Sequence, residues 1–236
     1  MSRKPISSTT AGAPFASPEA SSEVFTITPP DMRRVDTTII GMSPLLICRF
    51  SQKALDQMAA KQAAGSTSRK GKAREARDFD ADFQGARHIA EAGWDGIHAG
   101  AFRNAMISAC RLVNFKMTLA KMSLFIEADG LDRIDGVPLV RIIGDAPERN
   151  MLHTRNATGV IDLRVRPMWR RWSCNLRISY DGSQFKTSDV LNLLARVGMQ
   201  VGIGEGRPDS RMSAGMGMGL FRLSTEADEA ANLAAD

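Results

Sequence analysis

Arginine carries the densest concentration of potential chemistry in this chain. Seven arginines lie between residues 149 and 177 (149, 155, 164, 166, 170, 171 and 177), with Asp162 the one acid inside the band and Glu148 just before it. Trp169 and Trp172 interleave with them, and His153 is close by. Guanidinium groups suit phosphate oxygens and indole faces suit bases. Arg155, Arg164, Arg166, Trp169, Arg170 and Arg171 are therefore candidates for holding a single nucleic-acid strand. A second cluster runs from Gly96 to Met106, where a small-residue turn leads into a helix whose first turn carries Arg103 and Asn104. The N–H groups of a helix start attract anions, and His98, Arg103 and Asn104 would add side-chain contacts. The third cluster, Gly202 to Gly219, holds six glycines with Arg207 and Arg211. Glycine lets backbone amides approach a phosphate or a neighbouring chain, although the same composition suits a mobile loop without a ligand. Glu205 and Asp209 dilute its charge.

Other chemistries find less material. Pro208 falls where a dinucleotide-binding helix would open, and the Lys-Ser/Thr pair of a phosphate loop is missing. Glu127, Asp129, Asp132 and Asp135 surround Gly130 and Gly136, a pattern that Asp/Gly turns produce as readily as a metal-dependent nuclease does. Cys48, Cys110 and Cys174 form no CxxC and are odd in number, which points to buried apolar thiols in a reducing compartment. No cofactor or metal is expected.

The elements that must position these groups emerge from periodicity. The chain has 236 residues, a net charge of +5 and 43% hydrophobic residues, enough for one substantial core. No apolar run approaches the ~20 residues of a membrane span, and the N-terminus lacks a signal-peptide stretch, so a cytoplasmic protein without membrane contact is expected. Residues 1–34, rich in Ser, Thr, Ala and Pro, read as a disordered tail, and residues 225–236 as an acidic flexible one. Between them, the folded part runs from about Val35 to Ser224. Thr37 to Phe50 is β-rich, Lys53 to Ala64 suits a short helix, and residues 65–77 form a basic, Gly/Ser-interrupted stretch. A helix is expected over about Ala101–Val113, where Phe102, Ala105, Met106, Ala109, Cys110 and Val113 share a face. A second, over Ser188–Val197, has Thr187 or Ser188 to cap it, Asp189 in its first turn and Gly198 to end it. Strands are expected at Met122–Ala128, Pro138–Ile143, Val160–Arg166, Trp172–Tyr180 and Met218–Ser224.

The Gly-small-Phe-Arg helix start of Ile97–Met106, together with the Gly- and Arg-rich segment Gly202–Phe221 before a last strand, resembles the RAMP superfamily. Short phage-encoded proteins carry a segment similar to Gly202–Pro208. The resemblance implies an α/β (α+β) fold: a ferredoxin-like, RRM-like core with insertions at about 53–95 and 129–168, the latter a β-rich hairpin that pins nucleic acid. It implies binding of single-stranded RNA or DNA by its backbone, without catalysis. It also implies side-by-side assembly as a homo-oligomer or multi-subunit nucleoprotein, as in CRISPR effector complexes. Two other outcomes suit the same residues: a RAMP-type endoribonuclease, for which the resemblance implies Asp95 or His98 as the cutting residue, and a phage assembly subunit that binds no nucleic acid.

Overall fold

Trp172, Cys174, Leu176, Ile178 and Tyr180 alternate with Ser173, Asn175, Arg177 and Ser179, so an extended chain here must have one apolar and one polar face. The fold is built around that segment. The computed structural model describes residues 27–49, 56, 60, 78–155, 161–210 and 214–228, without the side chains of 154, 155, 161, 162 and 214. Of the expected helix at 53–64 only residues 56 and 60 are described, both helical; the basic stretch 65–77, most of the N-terminal tail and the end of the acidic tail lie outside the described residues.

In chain order the elements are β1 Met32–Gly41, β2 Leu45–Leu46, α1 Phe79–Gly85, β3 His88–Ile89, β4 Asp95–His98, α2 Ala99–Ala109, α3 Met117–Ser123 and β5 Leu124–Ile126. There follow β6 Gly130–Leu131, β7 Pro138–Arg141, β8 Ile143–Gly144, β9 Glu148–Arg155, β10 Ile161–Trp169, β11 Trp172–Asp181, α4 Thr187–Arg196 and β12 Phe221–Leu223. The fold is mixed α+β with several antiparallel sheets.

The main sheet has the order β12-β1-β11-β5, with β8 pairing with β11 as well. β1 and β5 both run antiparallel to β11, so they point the same way, with α2 in the connection between them. β11 and β12 are likewise both antiparallel to β1, with α4 between them. The two β-α-β units thus interleave. α2 supplies Phe102, Met106 and Ala109 to the core, and α4 supplies Val190, Leu193 and Leu194. They meet the inward residues of β11, and Phe221 packs edge-on against both Phe102 and Trp172. The opposite face of β1 and β11 is polar. There Arg34 pairs with Asp36 and Glu127, and Arg177 with Asp129 and Glu127.

Two smaller sheets flank this core. One has the order β3-β4-β7-β6, the other β2-β10-β9. The stretch 129–168 is therefore divided: β6 and β7 pair with each other and β7 with β4, whereas β9 and β10 form a hairpin against β2.

Several boundaries differ from expectation. The first strand begins at Met32, because Arg33 and Arg34 already pair with Tyr180 and Ser179 across the sheet. The first long helix starts at Ala99, and after Ala109 it tightens into a 3₁₀ turn, Cys110–Val113, closed by Asn114 at φ 54°. Residues 117–123 are helical, so the strand expected from Met122 starts at Leu124. The second long helix is preceded by Lys186, whose N–H donates to Asp189, and it runs past Gly198 through a π-helical turn to Val201. Gly198 packs its Cα against the Phe221 carbonyl, where a Cβ would lie 2.1 Å from the oxygen. Cys110 and Cys174 are buried as expected, and burial pushes both thiols up. Cys48 is exposed instead, two residues after the short β2. No helix among the described residues is long and apolar enough to cross a membrane.

Candidate nucleic-acid interface

The three segments singled out by composition meet at one cleft of about 880 Å³. Its wall includes His98 at the start of α2, Asn104 midway along it, Arg164 and Arg166 from β10, and Arg207 from the glycine segment. Its floor is aliphatic: Ile47, Ile97, Ala101, Ala105, Val201 and Ile203. All three histidines of the chain, His88, His98 and His153, line it. No Phe, Tyr or Trp is among the lining residues.

Each part has a local reason for its place. β4 runs into α2 without a loop, and His98 caps the helix by accepting the Gly100 N–H at Nδ1, 2.7 Å away. The helix start is therefore less open to an anion than its sequence implies, because that N–H is already used. The glycine segment is held by backbone pairing. Glu205 N–H donates to Leu46 O at 2.8 Å, Ile203 N–H to Gly219 O at 3.0 Å, and Gly219 N–H to Pro44 O at 2.9 Å. Gly219 sits at φ 67°, and a Cβ there would lie 1.8 Å from the Ile203 oxygen, so only glycine fits. The glycines bring backbone to backbone and so fix the loop that carries Arg207.

On β10, Arg164 and Arg166 alternate with the buried Val165, which turns both guanidinium groups to one side. Arg166 pairs with Glu205, and both are mostly buried (side chains 13% and 20% exposed). Arg207 donates to Gly204 O at 2.9 Å. Asp209 is bound by Ser108 and by Arg111 at 2.7 Å, which ties the glycine segment to α2. Burial opposes the Asp209 charge, but the Ser108 and Arg111 bonds prevail and hold its carboxyl below the ordinary carboxylate range. The cleft thus carries three arginines against two carboxylates, each of them already paired.

Four of the candidates are placed elsewhere. Trp169 is 2% exposed and belongs to the core; it follows Val165 and Pro167 on the inward face of β10, so its ring packs on protein and is closed to a base. Arg103 donates to the carbonyls of Leu124 and Lys121 and lies over Phe125, so it fastens α2 to α3 and β5 and does not strengthen an anion site at the helix start. Arg170 and Arg171 form the exposed corner between β10 and β11, where they pair with Glu148 and Asp145. Arg155 ends β9 with its side chain outside the described residues, as is the whole of Arg211.

Composition picked out Asp132 and Asp135 but missed His88 and Arg49, which join them beside His98. His88 Nδ1 lies 2.8 Å from Asp132 Oδ2. Asp132 is 1% exposed and also faces Arg49 Nε at 3.6 Å, while Arg49 Nη2 bonds Asp135 at 2.9 Å. Ligand atoms of His88, Asp132 and Asp135 fall within 4.8 Å of one another, the spacing of a metal site. The cation among them is the Arg49 guanidinium. Asp95 is held in both oxygens by Arg87, at 2.8 Å each. Glu127 and Asp129 lie with Arg177 on the polar sheet face, apart from Asp132 and Asp135. The carboxylates that cluster in sequence therefore divide between two places.

No family model matches the chain, and no curated protein matches it.

Proposed function

We propose that the protein binds single-stranded nucleic acid, RNA foremost, by gripping the sugar-phosphate backbone in this cleft without cleaving it. The observation that carries the proposal is the convergence of the α2 start, the β10 arginines and the glycine segment on one cavity. An aliphatic floor beneath arginines and histidines, with no aromatic ring, favours backbone capture over base stacking. The strand order β12-β1-β11-β5, with a helix in each crossover, supports a ferredoxin-like core and with it the likeness to the RAMP superfamily. On that likeness, copies assemble side by side along the strand in a nucleoprotein complex.

The test is equilibrium binding to single-stranded RNA, single-stranded DNA and duplex of equal length, repeated across salt. Single strands are expected to bind and the duplex to bind weakly, with affinity falling as salt rises. Binding to none of the three, by protein purified free of nucleic acid, would favour an assembly subunit instead. A ribonuclease reading has one observation on its side, the pairing of His88, which lines the cleft, with the buried Asp132 behind it. Labelled RNA incubated with the protein, with and without chelator, is expected to stay intact.

A further inference from the structure

The end of α2 and the start of α4 leave a groove between them. After Ala109 the chain tightens into its 3₁₀ turn, and Asn114, at φ 54°, reverses it and brings Phe115 onto Phe185, with ring centroids 4.7 Å apart. The two rings, with Cys110, Val113 and Leu193, line a groove of about 340 Å³ that shares no lining residue with the cleft. Val113 is 44% exposed, and Leu112 before it and Met117 at the start of α3 are exposed as well. Apolar side chains left in water beside a concave apolar surface gain from being covered.

The charge around this groove is one-sided. Arg196 lines it, and the exposed Lys116 and Lys186 each follow one of the two phenylalanines in sequence. None of the three has a carboxylate partner among the described residues, and Arg196 reaches the Gln200 amide at 3.4 Å. Asp189, the one acid among the lining residues described, caps α4 by accepting the Lys186 N–H at 3.1 Å. Elsewhere on the surface arginines are matched to carboxylates, as Arg34, Arg87, Arg170 and Arg222 are. Three unmatched cations beside an apolar groove fit an acidic segment that carries a large apolar side chain.

Such a segment belongs to the chain itself, and the chain arrives beside the groove. Asp31 O accepts the Gly182 N–H at 2.7 Å, and Gln184, two residues after Gly182, lines the groove. Residues 1–26 precede the described chain, and their composition complements the rim. Between Lys4 and Arg33 there is no Lys or Arg, whereas Glu19 and Glu23 stand just before Phe25. Phe25 is six residues before Asp31, and six extended residues span up to about 20 Å, enough to bring its ring to the groove.

We propose that this groove is the docking site of the chain's own residues 19–25, with Phe25 against Phe115 and Phe185 and with Glu19 and Glu23 among Lys116, Lys186 and Arg196. Attachment through the same chain makes the docking intramolecular, so weak contacts suffice. Burial of the phenyl ring supplies most of the stabilisation, because exposed ion pairs each contribute little. The ion pairs select which segment docks and make the docking sensitive to salt. The docked segment covers the seam between α2 and α4 without meeting the residues of the cleft, so the inference stands apart from nucleic-acid binding.

Glu19 and Glu23 are themselves cleavage points for a Glu-specific endoproteinase, which gives a direct assay. The full chain is digested and cleavage after each is followed by mass spectrometry, with a synthetic peptide of residues 15–31 setting the unprotected rate. Cleavage after Glu23 is expected to be several-fold slower in the protein than in the peptide, and to approach the peptide's rate as salt rises. Phe25→Ala, compared with the peptide carrying the same substitution, is expected to remove the protection. Val113→Asp is expected to remove it too, and because Val113 is half exposed the variant keeps its fold, checked by its melting temperature. Lys186→Gln combined with Arg196→Gln is expected to weaken the protection and abolish its salt dependence. A wild-type rate equal to the peptide's would overturn the docking. Protection that survives both Phe25→Ala and Val113→Asp would overturn the groove as its place. Protection that grows with protein concentration would overturn the assignment to the same chain and give the groove to a second copy.

Discussion

Glu205→Gln is the substitution whose outcome follows most directly from the cleft. Glu205 is held at its backbone N–H, which ties the glycine segment to Leu46, and at its carboxylate, which pairs with Arg166 and accepts from the Cys48 thiol. The amide keeps the first and a hydrogen-bond acceptor for the second, so the loop is expected to hold, at a stability cost of about 1 kcal/mol. What changes is charge. Removing a negative charge at roughly 6 Å from a bound phosphate, in an effective dielectric of about 40, favours binding by about 1.4 kcal/mol, or about tenfold. Solvent screening at the cleft mouth reduces this to about three- to tenfold. The salt slope provides a second number. Releasing Arg166 adds one phosphate contact, which steepens the slope by about 0.7. Fluorescence anisotropy with labelled single-stranded RNA, from low to moderate salt, measures both. An affinity that is unchanged or lower, in a variant that melts at the wild-type temperature within a few degrees, would refute the placement of phosphate beside Arg166.

Four other outcomes follow from the same contacts. Gly219→Ala forces a Cβ onto the Ile203 carbonyl at positive φ, and is expected to cost about 2–4 kcal/mol in denaturant unfolding. Arg49→Met leaves the Asp132 charge buried without its counter-charge, and is expected to cost about 3–5 kcal/mol by the same measurement. Trp169→Ala is expected to cost about 3–5 kcal/mol by opening a core cavity, with RNA affinity, measured where the variant is folded, unchanged. Asp209 has its proton affinity lowered on folding, so its contribution is complete above the ordinary carboxylate range and is lost as pH falls through its depressed folded value. Asp209→Asn is expected to remove that part of the acid sensitivity, read as a shallower fall in melting temperature between pH 5 and pH 3.

The main sheet was legible where burial is one-sided. The period-two alternation of Trp172–Tyr180 gave β11, and the helical stripe from Phe102 to Ala109 gave α2, because each has one apolar face and one polar. The same rule, carried three residues beyond Arg166, would have put Trp169 indoors. Val165, Pro167 and Trp169 share a side, and the arginines take the other. Composition alone groups arginine with tryptophan, whereas the pleat separates them. Short strands such as His88–Ile89 and Asp95–His98 escaped notice because two to four residues carry no period. His88 escaped with them, since its meaning depends on Asp132, which is 44 residues away. Arg103 was expected in the first turn of its helix but is the fifth residue of a helix that starts at Ala99, and its reach to the Leu124 and Lys121 carbonyls depends on α3, a helix without a sequence signal strong enough to announce it. The three segments of the cleft could be chosen individually from the sequence. That they share one cavity depends on the pairing of Leu46 with Met168 and Glu205, which no local pattern encodes.

Photo-crosslinking of single-stranded RNA to the intact protein, followed by peptide mapping, tests the location of the interface most directly. Links are expected in three segments, 96–106, 164–166 and 202–210, and in all three together. Links confined to the polar sheet face around Arg34 and Arg177, or no specific links under conditions where RNA is bound, would contradict the cleft as the site of binding.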